Sequence, residues 1–308
     1  MSTRAATAGP QALHDNRTHQ LIAAIVIAVF LPTVFLALRL LARHVLRIRL
    51  YFDDWLIIIA WFFKIGIDIS GSLLIQHGMG RHIEIVNIPD LVEFMQIQYA
   101  GLIQYPLCIT FTKLSILYEY RRLFPNNHEF KLMTSLLIAL MIMWCTAVVF
   151  TGIFICTPIR KVWNPWLEYG KCIDLVPFYY GIQIPNVVTD FLILLLPFGE
   201  VQRLKLPPKQ KFGVALTCLL WIISLVFGVI RLAVLVQLSD DGSDITWNLV
   251  PAAIWTTIEP AVQITTACLP SLRVLYRKHL DHRKQKAKSA AAKRLRSIQL
   301  TGPRGVNV

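Results

Sequence analysis

The stretch "IWTTIEPAVQITTACL", residues 254–269, places Glu259 and Pro260 in the middle of an apolar run. A carboxylate surrounded by hydrocarbon costs a few kcal/mol, so it needs a partner or a role inside a helix bundle. Pro260 removes a backbone donor and disturbs the helix beside that carboxylate. The stretch therefore predicts a membrane helix whose polar side faces inward.

The composition supports a lipid environment for much of the chain. Of its 308 residues, 55% are hydrophobic and 16% are charged, with a mean hydropathy of +0.55, whereas soluble domains are about 25% charged. Runs of about 20 apolar residues are long enough to cross a bilayer as helices. Seven such runs occur, at residues 20–41, 54–75, 95–118, 131–155, 177–197, 212–237 and 249–270.

We therefore predict an all-α integral membrane protein with a seven-helix transmembrane bundle. Its three parts are a short extracellular N-terminus, residues 1–19, the bundle, residues 20–270, and a basic cytoplasmic tail, residues 271–308. The bilayer is the plasma membrane or an endomembrane, and the sequence leaves that choice open.

The distribution of basic residues predicts the orientation. With the N-terminus outside, the loops at residues 42–53, 119–130 and 198–211, the tail and Lys131 are cytoplasmic and hold 21 of the 31 Lys and Arg. Cytoplasmic segments carry such an excess in membrane proteins. The C-terminus is therefore predicted to be cytoplasmic.

The predicted outer face carries two modification signals. Cys156 and Cys172 flank an outer loop, and an oxidising compartment favours a disulfide between them over two free thiols. Asn16 begins the glycosylation sequon "NRT" in the N-terminal segment. Its closeness to the membrane leaves open whether Asn16 carries a glycan.

Several motifs follow one another from about residue 20 to residue 275. They are "DDW" at 53–55, "GMGRH" at 78–82, "KLSILYEYRRLF" at 113–124, Cys156 and Cys172, "VVTDFLILLLP" at 187–197, Arg231, "IEP" at 258–260 and "CLPSLR" at 268–273. Together they resemble the fungal rhodopsin-domain family, which includes receptor-like surface-sensing proteins and a membrane protein of the satratoxin cluster. The resemblance implies a seven-helix architecture and supplies neither a reaction nor a ligand.

Retinal attachment is not expected, although the family is named after rhodopsin. A retinal Schiff base needs a lysine near the middle of the last span, and residues 249–270 contain none. Lys64 and Lys113 lie on the second and third spans. We predict no retinal and no other cofactor.

Away from the ends of the predicted spans lie three cations and three carboxylates, whose charges sum to zero: Lys64, Lys113, Arg231, Asp68, Asp190 and Glu259. Their depths suggest that Arg231 meets Asp68 at one level, that Lys64, Asp190 and Glu259 meet at a deeper one, and that Lys113 extends to the headgroups. Two interpretations stay open. The charges fix helix packing, or they form a polar ligand or proton site in which Glu259 and Asp190 are acceptors or acids.

Acidic and histidine motifs near the helix ends predict no metal site. Asp53 of "DDW" is expected to cap the second span, in preference to forming a metal-binding pair with its neighbour. His77 and His82 flank the glycine-rich "GMGRH" segment, which favours a turn.

The cytoplasmic side offers two candidate contact surfaces. Glu119, Arg121 and Arg122 directly follow the third predicted span and suggest a surface coupled to a signalling protein, with a plain basic anchor as the alternative. The tail holds eleven Lys and Arg against one acid. Because it follows a membrane span, we expect it to bind anionic lipid and not nucleic acid.

These observations favour a receptor-like or sensor-like membrane protein with a small apolar ligand that enters from the outer side. The alternative is a membrane-embedded enzyme of secondary metabolism, an acid-assisted cyclase or isomerase that uses Glu259 and Asp190 as proton donors. The sequence leaves open whether the protein is an enzyme.

Overall fold

The computed structural model describes residues 17–123, 127–164, 166–203, 208–240 and 246–270. Almost all of these residues are helical. The long helices are α1 (Thr18–Val45), α2 (Phe52–Gln76), α3 (Ile88–Leu123), α4 (His128–Ile153), α5 (Leu175–Arg203), α6 (Pro208–Asp240) and α7 (246–270).

Six of these seven helices, α1 to α6, contain a segment that is long and apolar enough to cross a membrane. The α7 helix is of similar length but is interrupted by Thr, Gln and Glu side chains. Each helix begins before the apolar run that predicts it, and the difference is largest for α3, which begins at Ile88 where the run begins at residue 95. At its other end, α4 stops at Ile153, two residues before its run ends. Polar ends extend a membrane helix beyond its apolar segment, and the basic last turn of α3 suits the negative end of its dipole.

Two helices lie at the centre of the bundle. No residue of α7, and none of residues 97–121 in α3, is exposed. By contrast, α1, α2, α4, α5 and α6 each carry large exposed apolar side chains, such as Phe30, Phe62, Met143, Phe191 and Val226. Those faces suit contact with lipid, so the polar groups of α3 and α7 are left to meet one another.

A disulfide hairpin joins α4 to α5. Strands β1 (Cys156–Thr157) and β2 (Lys171–Cys172) pair in antiparallel register with Cys156 opposite Cys172. The predicted Cys156–Cys172 disulfide is present. The hairpin packs on α3 through an edge-to-face contact between Trp163 and Tyr99, whose ring centroids are 5.9 Å apart. We call this end of the bundle the disulfide end.

The "GMGRH" segment also lies at the disulfide end, where it links the starts of α1 and α7. Gly80 donates its N–H to the Thr246 carbonyl at 3.1 Å and accepts from the Arg17 N–H at 3.2 Å. Its φ of +89° lies in the left-handed region. The His82 ring stacks on Trp247 with centroids 4.4 Å apart. The segment therefore forms a turn that clamps two helix starts, as its glycines predict.

Replacement of Gly80 by alanine is expected to destabilise the protein by about 1–3 kcal/mol because the left-handed conformation is strained for alanine. The added Cβ would also lie 3.1 Å from the Thr18 nitrogen. Gly181→Ala is the matched control, since no heavy atom lies within 4 Å of its added Cβ. Thermal unfolding midpoints in one detergent test this, and equal midpoints for the two variants would contradict it.

Candidate functional site

Six charged side chains form a cluster at the end of the bundle opposite the disulfide, and all of them except Arg122 are buried. We call it the arginine cluster; its members are Arg39, Arg43, Asp53, Asp54, Glu119 and Arg122. Arg39 is 0% exposed and binds three carboxylates, with distances of 2.6 Å to Asp53, 2.8 Å to Asp54 and 3.3 Å to Glu119. It also donates to the Ala267 carbonyl at 2.6 Å. One guanidinium thereby holds α1, α2, α3 and α7 together.

The second and third arginines close the cluster. Arg43 lies 3.1 Å from Asp54, and Arg122 lies 3.0 Å from Asp53. Arg122 also covers the Tyr51 ring, with its guanidinium carbon 4.4 Å from the centroid. Three arginines thus face three carboxylates, so the cluster is electrically neutral although most of it is buried.

The capping residue of α2 differs from the prediction. The Asp54 carboxylate accepts from the Tyr51 backbone N–H at 3.0 Å, and this contact closes a capping box at the helix start. The predicted cap, Asp53, instead binds arginines. An aspartate at the third helical position can reach back to that backbone N–H, and Asp53 is one position too early.

The predicted coupling residues do not act as one group. Glu119 and Arg122 belong to the arginine cluster. The Arg121 guanidinium lies over the Tyr118 ring, 5.9 Å from its centroid. Because consecutive helical residues point in directions about 100° apart, only one of the two arginines can face the cluster.

The six charges predicted within the spans form three ion pairs. Lys64 and Asp68 meet one helical turn apart on α2, with 2.6 Å from Nζ to Oδ2. Lys113 of α3 lies 2.9 Å from Asp190 of α5. Arg231 of α6 lies 3.4 Å from Glu259 of α7. Each residue is 6% exposed or less.

All three pairs differ from the expectation based on depth. Lys64 was expected to meet Asp190 and Glu259, but it binds Asp68. Arg231 faces Glu259 and not Asp68, because Asp68 is already bound to Lys64 on its own helix. Lys113 was expected to extend to the headgroups, and that expectation is wrong. It is 0% exposed and donates to the Asn186 side-chain oxygen at 2.6 Å.

Asn186 joins two of the ion pairs into one network. Its side-chain oxygen accepts from Lys113, while its amide nitrogen donates to Glu259 at 2.7 Å and contacts the Tyr105 hydroxyl at 3.2 Å. The Tyr105 hydroxyl donates to Glu259 at 2.9 Å. The Glu259 carboxylate therefore receives donors from three other helices, α3, α5 and α6.

A cavity of ≈ 90 Å³ lies between this network and the disulfide end. Tyr105 and Arg231 line it on the network side, and apolar residues from α1, α2, α3, α6 and α7 form most of its wall. The Arg231 guanidinium carbon lies 3.8 Å from the centroid of the Tyr105 ring. The cavity thus combines apolar walls with a fixed cation.

Uncharged polar residues complete the network, and a search for charges alone misses them. Gln183, Asn186 and Asp190 are spaced by three and four residues, so they share one face of α5. Gln183 accepts from Arg231 at 2.9 Å. That polar stripe in an apolar run was the available signal.

Asn16 and the basic tail, residues 271–308, lie outside the described residues, so their roles stay predictions.

The two histidines of the first predicted outer loop, His77 and His82, have different neighbours. His77 lies 3.2 Å from Glu93, while His82 stacks on Trp247.

The Lys64–Asp68 pair allows a test of how buried charge affects stability. Lys64→Met alone or Asp68→Leu alone leaves one buried charge without its partner and is expected to cost about 3–5 kcal/mol. The double variant removes both charges and should recover most of that loss. Unfolding midpoints of the four proteins measure this, and additive losses in the double variant would contradict it.

Comparison with known proteins places this architecture in a family. Residues 38–278 match the fungal rhodopsin domain. "Polyenoic acids biosynthesis gene cluster protein Ba17b" of Metarhizium anisopliae is 30% identical over 82% of this chain and 72% of its own length. "SAT4 family membrane protein" of Emericella nidulans is 33% identical over 66% of this chain. No solved structure matches the chain.

Two of these relatives are considerably longer than the matched region. "Satratoxin biosynthesis SC1 cluster protein 4" of Stachybotrys chartarum is 28% identical over 55% of this chain, and the match spans 60% of the relative. The match to the SAT4 family protein spans 51% of that relative. The family match nevertheless covers most of this chain, and its apolar helices are those of a multi-pass protein. The chain therefore belongs to the fungal rhodopsin domain family of membrane proteins.

Proposed function

We propose that this protein is a receptor-like or sensor-like seven-helix membrane protein that binds a small lipophilic ligand in the cavity and reports it at the arginine cluster. One observation carries the proposal. The helices α1, α2, α3 and α7 line the cavity and also supply the cluster or a contact to it. A ligand that shifts any of them can alter both sites.

The α3 and α7 helices each give a direct physical connection between the two sites. On α3, Tyr105 lines the cavity and Glu119 binds Arg39, which is a separation of about 20 Å along a helix. On α7, Thr257 lines the cavity and the Ala267 carbonyl accepts from Arg39. Interfaces of this kind respond to small shifts by repacking, because packed side chains adopt discrete arrangements.

The proposal assigns seven spans, an outer disulfide end and a cytoplasmic arginine cluster. The excess of basic residues on the cluster side favours this orientation, and so does a disulfide at the opposite end. The central position of α7 explains how a less apolar helix can still cross the bilayer. A cytoplasmic signalling protein would then meet the arginine cluster, and the basic tail would lie against anionic lipid.

Opposite placement of the two chain ends tests the orientation. Epitope tags are placed at the two ends of the full chain. In intact cells, only the N-terminal tag is expected to be accessible to antibody or protease. Both tags should become accessible after detergent treatment, which controls for masking. Two tags on one side of the membrane would contradict the seven-span topology.

A membrane-embedded enzyme of secondary metabolism is the second candidate. The names of several relatives place them in biosynthesis clusters, and the Glu259–Tyr105 contact lies beside the cavity. Against an acid role, Glu259 and Asp190 each face a cation at 3.4 Å and 2.9 Å. If the protein is an enzyme, Glu259→Gln should abolish one metabolite while the folded protein stays abundant.

Arg122→Gln is expected to uncouple the response, because it removes the contact between α3 and Asp53 at the edge of the arginine cluster. Arg121→Gln is the matched control, since it removes the same charge from the adjacent position outside the cluster. Transcript and metabolite profiles of a deletion strain complemented with each variant provide the measurement.

The Arg122→Gln strain should resemble the deletion strain, and the Arg121→Gln strain should resemble wild type. Equal behaviour of both variants at equal abundance would show that the cluster does not couple and would remove the receptor proposal. Both variants are expected to fold, because Asp53 keeps its contacts with Arg39 and Arg43 in either one. Protein abundance at the membrane is measured for each strain, so that only strains with equal abundance are compared.

A further inference from the structure

Two residues that line the cavity carry a buried side-chain donor without a partner. Among the described residues, Arg231 Nε and Thr257 Oγ1 have no hydrogen-bond partner, and their residues are 6% and 2% exposed. Both residues line the cavity. Buried polar groups in native proteins are almost always bonded. Two unsatisfied ones in the same wall indicate a site that is complete only with an acceptor present.

The rest of the Arg231 side chain is held firmly in place. One terminal nitrogen donates to Gln183 at 2.9 Å and lies 3.4 Å from Glu259. The guanidinium covers the Tyr105 ring. These contacts fix the plane of the guanidinium, so the direction in which Nε–H points is set before any ligand binds.

The charge of the site selects a neutral acceptor over an anion. Arg231 is already neutralised by the Glu259 carboxylate. A ligand carboxylate would place a second negative charge near one cation in a site of low dielectric, where like charges repel strongly. A carbonyl oxygen has two lone pairs and no charge. It can accept from Arg231 and from Thr257 at once.

The other surfaces of the cavity suit a hydrocarbon body. Its walls include Leu21, Ile67, Leu74, Leu102, Leu235 and Leu249. The polar wall residue Thr256 is already satisfied, because its hydroxyl donates to the Ala252 carbonyl at 2.7 Å. The unsatisfied donors are therefore set against a largely apolar surface.

We propose that this cavity binds a small, mostly apolar molecule bearing one neutral carbonyl, a ketone, aldehyde or ester, whose oxygen accepts from Arg231 Nε and Thr257 Oγ1. The proposal rests on the proposed function in that it names the ligand class of the same cavity. It assigns Arg231 and Thr257 the role of selecting the ligand by its oxygen, while the leucine-rich walls select it by shape.

The test compares three probes on the full-length protein in lipid nanodiscs: 2-octanone, octane and octanoate. Binding is followed by the ligand-dependent rise in the thermal unfolding midpoint. The carbonyl stretch of 13C-labelled 2-octanone is followed by infrared difference spectroscopy. We expect 2-octanone to bind more tightly than both other probes, and its carbonyl band to shift to lower wavenumber, as hydrogen bonding requires.

Thr257→Val removes the unpaired hydroxyl, and Thr256→Val is its matched control on the same helix and in the same cavity wall. We expect Thr257→Val to weaken 2-octanone binding about tenfold, as the loss of one hydrogen bond to a buried acceptor predicts. Thr256→Val should keep the wild-type affinity within about twofold. Octane should bind both variants equally.

Equal binding of octane and 2-octanone by the wild type would overturn the proposal, because ordered water would then suffice for the two donors. Tighter binding of octanoate would overturn the choice of a neutral group. Equal weakening by the two threonine variants would remove the role of Thr257.

The two proposals fail separately. If 2-octanone binds as expected but Arg122→Gln and Arg121→Gln behave alike in the host, the receptor proposal falls and the ligand class stands. If Arg122→Gln uncouples the host response and Arg121→Gln does not, but the protein binds octane as tightly as 2-octanone, the ligand class falls and the receptor proposal stands.

Discussion

The structure depends on one constraint: ionic groups inside a hydrophobic bundle must meet one another. A lone charge at membrane depth costs at least a few kcal/mol. Every cation named in the interior of this bundle has a carboxylate within 3.4 Å. The pairs join different helices except on α2, where Lys64 and Asp68 satisfy each other. Ion pairing therefore determines which helices must be neighbours and how each is rotated.

This constraint explains why α7, which is not among the six strongly apolar helices, can carry polar side chains along its length. Its Glu259 binds Arg231, Tyr105 and Asn186, and its Gln263 donates to Asp190 at 3.3 Å. A helix with these partners must be surrounded by α3, α5 and α6. Its residues are buried or only partly exposed, so it does not need the apolar faces that the outer helices carry.

Much of this arrangement follows from the sequence and some of it does not. The apolar runs locate the helices, and the zero sum of charges anticipates that they pair. The choice of partners depends on the rotation of each helix and on the order of helices around the bundle, which depth along the chain does not specify. Lys113 illustrates this. Its position near the end of a run suggests a headgroup contact, but α3 is central, so Asp190 and Asn186 are the nearer oxygens.

The cluster at the other end was harder to predict because its members lie at helix ends. Arg39 and Asp53 sit where positive-inside anchoring and helix capping are the common explanations. Neither pattern reveals that the ends of α1 and α3 and the start of α2 lie close enough for a single guanidinium to bind three carboxylates. That information is tertiary, because these residues are far apart in the sequence and come close in space only when the helices pack.

The two ends of the bundle differ in how completely their polar groups are satisfied. No side-chain atom of the arginine cluster is among the buried atoms without a partner in the described residues, whereas Arg231 Nε and Thr257 Oγ1 at the cavity are. A fully bonded network holds one arrangement firmly, and a partly bonded one gains from any group that completes it. The same helices run through both regions. Under the proposed function, a ligand that satisfied the cavity would act on helices whose far ends are held in one defined arrangement, and a displacement there would have to break bonds of Arg39 before it could spread.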